Sequence, residues 1–136
     1  MTFDTKIAIV VRESLAQWQK LNVTAFLAGG LAGVYPEIVG ERYRDGGGAA
    51  YGPLVRQPIL IFAAEGEALT RVLKRAAERG VVPSIYTMEL FTTYNDIDNR
   101  AAVAKAPTDQ LDLAGIALHA ERKTLDKIVK GLKLHS

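Results

Sequence analysis

Five consecutive apolar residues, Ile7-Ala8-Ile9-Val10-Val11, stand between Lys6 and Arg12 near the start of the chain. Successive side chains of a strand point to opposite faces, so an unbroken apolar run of strand length needs cover on both sides. A second such run, Ile59-Leu60-Ile61-Phe62-Ala63, follows Pro58. Two strands of this kind call for a layered α/β domain with helices on both faces of the sheet. The chain supplies such helices. From Glu67 to Arg79, Leu69, Val72, Leu73 and Ala76 form one apolar stripe, and Arg71, Lys74, Arg75 and Glu78 line the other side. Gly80 follows as a left-handed cap. A closing helix from Glu121 to Leu132 has Leu125, Ile128, Val129 and Leu132 as its buried stripe.

The intervening segments are less regular. Glu13 to Lys20 fits either a helix, with Leu15 and Trp18 three apart, or a loop that lays Trp18 over the core. Asn22 is the expected N-cap of a helix from Val23 to Gly33. Ala25, Ala28, Gly29, Gly30, Ala32 and Gly33 make that helix thin. Its glycines each cost about 1 kcal/mol relative to alanine, and close packing against the sheet is the expected reason for them. Pro36 opens a short helix reaching Tyr43. Arg44 to Pro53 reads as a glycine-rich loop, Val81 to Glu89 as the third strand and Leu111 to His119 as the fourth. Between those strands, Leu90 to Gln110 reads as a long irregular loop, a feature that is often functional in a small domain. The alternation of elements argues for a mainly parallel sheet. The long loop leaves an antiparallel pairing of the third and fourth strands open.

At 136 residues, with 49% apolar and 24% charged residues, the chain has the size and composition of one globular domain spanning residues 1–136. No apolar run approaches the ~20 residues that span a bilayer. The first residues lack the basic and apolar segments of a signal peptide, so a cytoplasmic location is expected. Without cysteine there is no disulfide framework and no thiolate metal site. A net charge of +2 argues little for nucleic acid. The local cluster of Arg122, Lys123, Lys127, Lys130 and Lys133 reads as a solvated face or as a site for an acidic partner or RNA phosphates.

Few constellations carry chemistry. Arg12 ends the first strand on the edge where open α/β sheets bind ligands, with an ion pair to an acid such as Glu13 as the plainer reading. Gly46, Gly47 and Gly48, followed by Tyr51, match no nucleotide-binding pattern but suit a connector or a lid whose amides contact a small anion. Asp96 and Asp98 begin like a calcium loop, yet the later glycine and closing glutamate are missing, so they read as a turn. His119 and His135 lack metal-ligand spacing, and Ser14 and Ser84 lie in no nucleophile elbow. No metal and no cofactor is expected.

Several segments resemble the type II peptidyl-tRNA hydrolases in order along the chain. They are Lys6 to Arg12, Lys20 with the small-residue helix after it, Gln57 to Ala63, the Glu67 to Arg79 helix, the strand to Glu89, and the close from Leu125 to Leu134. The chain also resembles a bacterial domain-of-unknown-function family with that fold. The resemblance implies a three-layer α/β/α domain with a mixed four-stranded sheet, and a homodimer. It places the family's catalytic lysine at Lys20, its acidic residue at Glu89 and its threonine at Thr92 or Thr93. The family's glutamine falls near Thr24 and its histidine near Leu27, which cannot transfer a proton. The leading expectation is therefore a non-hydrolase that binds a small or anionic ligand, or a partner. Its pocket would be formed by Lys20, Thr24, Glu89 and the Gly46 to Gly52 loop. The alternatives are a hydrolase of an ester or amide in which Lys20 stabilises an oxyanion and Glu89 activates water, and an RNA-binding module.

Overall fold

The structure is a computed structural model and describes residues 3–136. Its centre is β1 (Thr5–Arg12), paired in parallel with β2 (Ile59–Ala64) so that Ile9 faces Ile61 and Val10 faces Phe62. On its other side β1 runs antiparallel to β4 (Leu113–Glu121), which pairs antiparallel with β3 (Ser84–Thr87). A short fifth strand, β5 (Lys133–Leu134), closes the opposite edge by pairing with Phe62 and Ala63. The sheet order is β3-β4-β1-β2-β5. Thus the sheet has five strands where four were expected, and β1 and β2 make the one parallel pair among the described residues. The fifth strand arises because Gly131, at φ +89°, turns the chain back after the closing helix.

Both faces of the sheet are covered, as the apolar runs require. Ile7, Ile9 and Val11 pack under α1 (Gln17–Val34). Ala8 and Val10 pack under α2 (Gly66–Glu78) and α4 (Arg122–Ile128). The stripe of Leu69, Val72, Leu73 and Ala76 is buried as its spacing demands, and Gly80 takes φ +69° after the helix end. Arg75 reaches from α2 to the carbonyls of Ile128 and Lys130, tying it to the end of α4. That end lies at Ile128 rather than Leu132.

α1 begins six residues before the expected start. Ala16 is its N-cap, and the Gln19 side-chain oxygen accepts the Ala16 N–H at 3.0 Å. Asn22 therefore lies within the helix, and Trp18 belongs to it. Two glycines of α1 do not meet the sheet: a Cβ on Gly29 or Gly33 would touch nothing within 4 Å, and one on Gly30 would reach only the Ser84 hydroxyl of β3, at 4.0 Å. Close approach comes from the strand instead. A Cβ on Gly115 of β4 would lie 2.5 Å from Val23 and 3.0 Å from Leu27, so the sheet is what is thinned beneath α1.

The segment expected to be a helix from Pro36 to Tyr43, and the two read as loops, differ from those readings. Pro36–Ile38 is a single 3₁₀ turn, and beyond it the chain forms an exposed hairpin arm. The arm is closed by the Val39–Val55 and Arg44–Ala50 bridges and by the Tyr51 N–H donating to the Tyr43 carbonyl. The long segment after β3 contains α3 (Asp96–Ala104), flanked by 3₁₀ turns at Met88–Phe91 and Thr108–Gln110. Asn95 caps α3 by accepting the Asp98 N–H at 2.8 Å, so Asp96 and Asp98 are its first turn. Among the described residues no helix is long and apolar enough to cross a membrane.

Candidate functional site

The residues singled out from the sequence scatter over the molecule. Lys20 is half-buried and its ammonium donates to His135 Nε2 at 3.0 Å, beside the β5 edge. Glu89 is exposed in the 3₁₀ turn after β3, at the other edge of the sheet. The Thr24 hydroxyl donates within its own helix, to the carbonyls of Lys20 and Leu21. Apart from that bond within the helix, no ion pair or hydrogen bond among the described residues links Lys20 or Thr24 to Glu89 or to the glycine turn. Leu27, where the resemblance wants a histidine, is buried against the sheet.

Gly46, Gly47 and Gly48 form the tip of the arm. Asp45 ties that tip by accepting from the N–H groups of Gly47 and Ala49 and from the Tyr51 hydroxyl at 2.7 Å. These bonds, the Tyr51 one foremost, hold the Asp45 carboxyl below the usual carboxylate range and push the Tyr51 phenol up. Arg12 does carry an ion pair, but with Asp112 at 2.8 Å rather than Glu13. The pair borders a recess of about 450 Å³ that Glu65 and Glu67 also line, and this net negative lining repels an anion.

A larger cavity lies elsewhere. A cleft of about 950 Å³ opens between α1 and α3, floored by β3 and the 3₁₀ turn that follows it. Its wall is a continuous aromatic series. Trp18 meets Phe91 edge-on at 5.8 Å, Phe91 meets Tyr86 at 5.0 Å, and Tyr86 meets Phe26 at 6.0 Å. Local structure explains the series. Trp18, Asn22 and Phe26 recur every four residues on one flank of α1, while β3 and its 3₁₀ turn deliver Tyr86 and Phe91. Burial raises the Tyr86 phenol, and its hydroxyl is neutral at physiological pH.

The far wall is α3, with Asn99, Arg100 and Val103 lining the cleft. Arg100 pairs with Asp96 one turn earlier, so the two charges on the lining offset each other. Thr93 donates to Asn99 Oδ1 and fixes that amide. By contrast, the solvent-exposed Asn22 amide and the half-buried Ser84 hydroxyl make no hydrogen bond to protein groups among the described residues. Polar groups left open beside an apolar wall are the usual means by which a pocket orients a ligand. Of the residues proposed from the sequence, Thr93 alone lines this cleft. No group of three or more His, Cys, Asp or Glu side chains is placed to hold a metal ion among the described residues.

The sequence profile of a family described as Protein of unknown function (DUF2000) matches residues 5–136. A solved structure of a protein of unknown function, Atu0240 from Agrobacterium tumefaciens strain C58, is similar at a TM-score of 0.96 and 48% identity. The likeness covers 99% of this chain and 100% of that one. No curated protein matches.

Proposed function

The chain belongs to the DUF2000 family, whose function is unknown, and from the geometry of the α1–α3 cleft we propose that it is a small-molecule-binding protein. Its ligand is a neutral, flat heteroaromatic compound with a donor and an acceptor on one edge. The observation that carries this reading is the open aromatic wall of Trp18, Phe91, Tyr86 and Phe26 beside the unpartnered Asn22 and Ser84. Stacked or edge-on ring contacts contribute about 0.5–1.5 kcal/mol each beyond area burial. A group that satisfies Asn22 or Ser84 adds discrimination against analogues lacking it. The mutual neutralisation of Asp96 and Arg100 argues against a strongly charged ligand.

The likeness to type II peptidyl-tRNA hydrolases remains a resemblance of sequence segments, and no activity is carried over from it. A hydrolase centred on Lys20 and Glu89 has no comparable support: the Lys20 ammonium is engaged by His135, and the exposed Glu89 carboxylate makes no ion pair or hydrogen bond among the described residues. The RNA reading draws no support from the basic cluster, which is divided among α4, the following turn and β5.

Trp18 is the only tryptophan, so its emission reports on the cleft directly. Titration with neutral heteroaromatic amides and nucleobases is expected to give saturable quenching with at least one member, lost in Tyr86→Ala and weakened in Asn22→Ala. Absence of saturable change across the panel, together with turnover of ester or amide substrates that depends on Glu89, would overturn the reading.

A further inference from the structure

β3 borders the cleft with its backbone as well as with its side chains. It is the outermost strand of the sheet and pairs with β4 alone. An edge strand turns alternate peptide groups away from its neighbour and leaves them without a ladder partner. The register fixes which ones. The Met88 N–H donates to the Asp112 carbonyl at 2.8 Å, so it points to the β4 side. In a trans peptide the C=O points opposite to the N–H, so the Thr87 carbonyl points away from β4. Thr87 is extended, at φ −98° and ψ 161°, and keeps its own N–H on the side of its C=O. The extra residue of the irregular register lies on β4: Tyr86 and Thr87 are consecutive, whereas their partners Gly115 and Leu113 are not. The alternation therefore runs unbroken along β3. Ser84 and Tyr86 face β4, and Ile85 and Thr87 face outward.

Of the outward positions, Ile85 offers a complete donor–acceptor pair. Pro83, the outward position before it, has no N–H. Thr87 is 1% exposed and leads straight into the 3₁₀ turn. Ile85 is half-buried, and outside the ladder no backbone hydrogen bond engages it among the described residues. The nearby hydroxyls of Tyr86 and Thr93 donate to the Leu90 carbonyl instead. The Ile85 side chain packs into the core under α2, whereas Tyr86 and Phe91 of the aromatic wall pack on the α1 side. Ile85 lines the cleft all the same, so it meets the cleft with its peptide edge.

We propose that the Ile85 N–H and C=O are the specificity-determining contact of the cleft, and that the ligand pairs with them through a cis-amide edge, an N–H beside a C=O in one ring. Resting on the small-molecule reading of the cleft, this contact narrows the ligand to a lactam or imide. The N–H and C=O of one strand residue lie side by side, and an antiparallel neighbour meets them with its own pair. A planar cis-amide carries the same complement in rigid form, and its ring supplies the flat apolar surface that the aromatic wall takes. A carboxylate has no donor for the Ile85 carbonyl. A peptide adding to the sheet needs a succession of donors and acceptors. Pro83 on one side and the 3₁₀ turn on the other leave it a single pair.

The test is a titration of the whole chain with two probes. Carbostyril is a neutral bicyclic lactam, and N-methylcarbostyril keeps its rings and carbonyl but lacks the N–H. Followed by Trp18 emission, carbostyril is expected to bind at least about tenfold more tightly. Amide exchange measured by nuclear magnetic resonance gives a direct readout. In the free chain the Ile85 N–H is expected to exchange faster than that of Tyr86, and to become protected at saturating carbostyril. Ile85→Pro removes the outward donor and no ladder bond, and is expected to bring carbostyril down to the affinity of its methyl analogue. If that variant does not fold, the two wild-type measurements decide alone. Equal affinity for the two probes, an Ile85 amide left unprotected, or saturable binding confined to heteroaromatics without a cis-amide edge would overturn this contact and leave the small-molecule reading standing. No saturable binding of any compound would overturn both.

Discussion

Gly115 and Gly33 are both glycines near α1, and they answer to opposite requirements. Gly115 is where β4 admits Val23 and Leu27, and alanine there forces a backbone shift or an off-rotamer valine. Gly115→Ala is expected to lower unfolding free energy by about 1–3 kcal/mol in urea denaturation. Gly33→Ala adds a methyl group in open space within a helix, and is expected to raise it by about 0.5–1 kcal/mol. Composition alone points the other way, to a helix thinned for the sheet, because a sequence records that glycine is present but not which neighbour needs its room. His119 is a second case in which the neighbours decide. Its ring lies 4.5 Å from Tyr35 and its Nε2 sits 3.0 Å from the Thr5 hydroxyl. Burial holds the imidazole below its ordinary value of 6.5, opposed by the charge of Glu37. The unfolded chain therefore binds the proton more readily, so this contribution is complete above about 6.5 and is lost as pH falls toward the folded value. His119→Gln is expected to flatten that arm of a melting-temperature profile against pH.

Elements were legible in proportion to how strongly one face differs from the other. The amphipathic pattern of α2 and the terminator Gly80 could be read to within a residue or two. α1 has no such contrast, and its start is set by Gln19 folding back to Ala16 rather than by a serine, threonine, aspartate or asparagine cap. β5 has two residues, too few for any alternation to be visible. α3 did leave a signal, Asn95 with Asp98 three residues later, masked by the loop-like composition around it. The N-terminus of α4 depends on a comparable device. The Glu121 carboxylate accepts from the Thr124 hydroxyl and from the N–H groups of Thr124 and Lys123. These bonds lower its pKa, the Thr124 side chain most. Its stabilising effect is present above the ordinary carboxylate value and lost as pH falls through the lowered one. Glu121→Ala is expected to lower the melting temperature at neutral pH and to narrow its difference from wild type in acid.

At the scale of the molecule, β1 and β2 announced a two-sided sheet because apolar runs admit no other arrangement. The cleft was not announced. Its aromatic residues come from three separate elements, and Trp18 had no settled place while the start of α1 was open. If a heteroaromatic ligand occupies that cleft, it stabilises the native state by mass action, about 2.7 kcal/mol at a hundred times its dissociation constant. Thermal shift is expected to rise with ligand concentration in the wild type and not in Tyr86→Ala. α1 itself is loaded on three sides: Val23, Leu27 and Leu31 toward the sheet, Trp18, Asn22 and Phe26 toward the cleft, and Leu21, Ala25 and Gly29 outward. Such a rod leaves few positions free to drift. Saturation mutagenesis scored by retained fold and ligand binding is expected to reject acidic residues on the sheet and cleft flanks of α1, while α2 accepts them along its outer half.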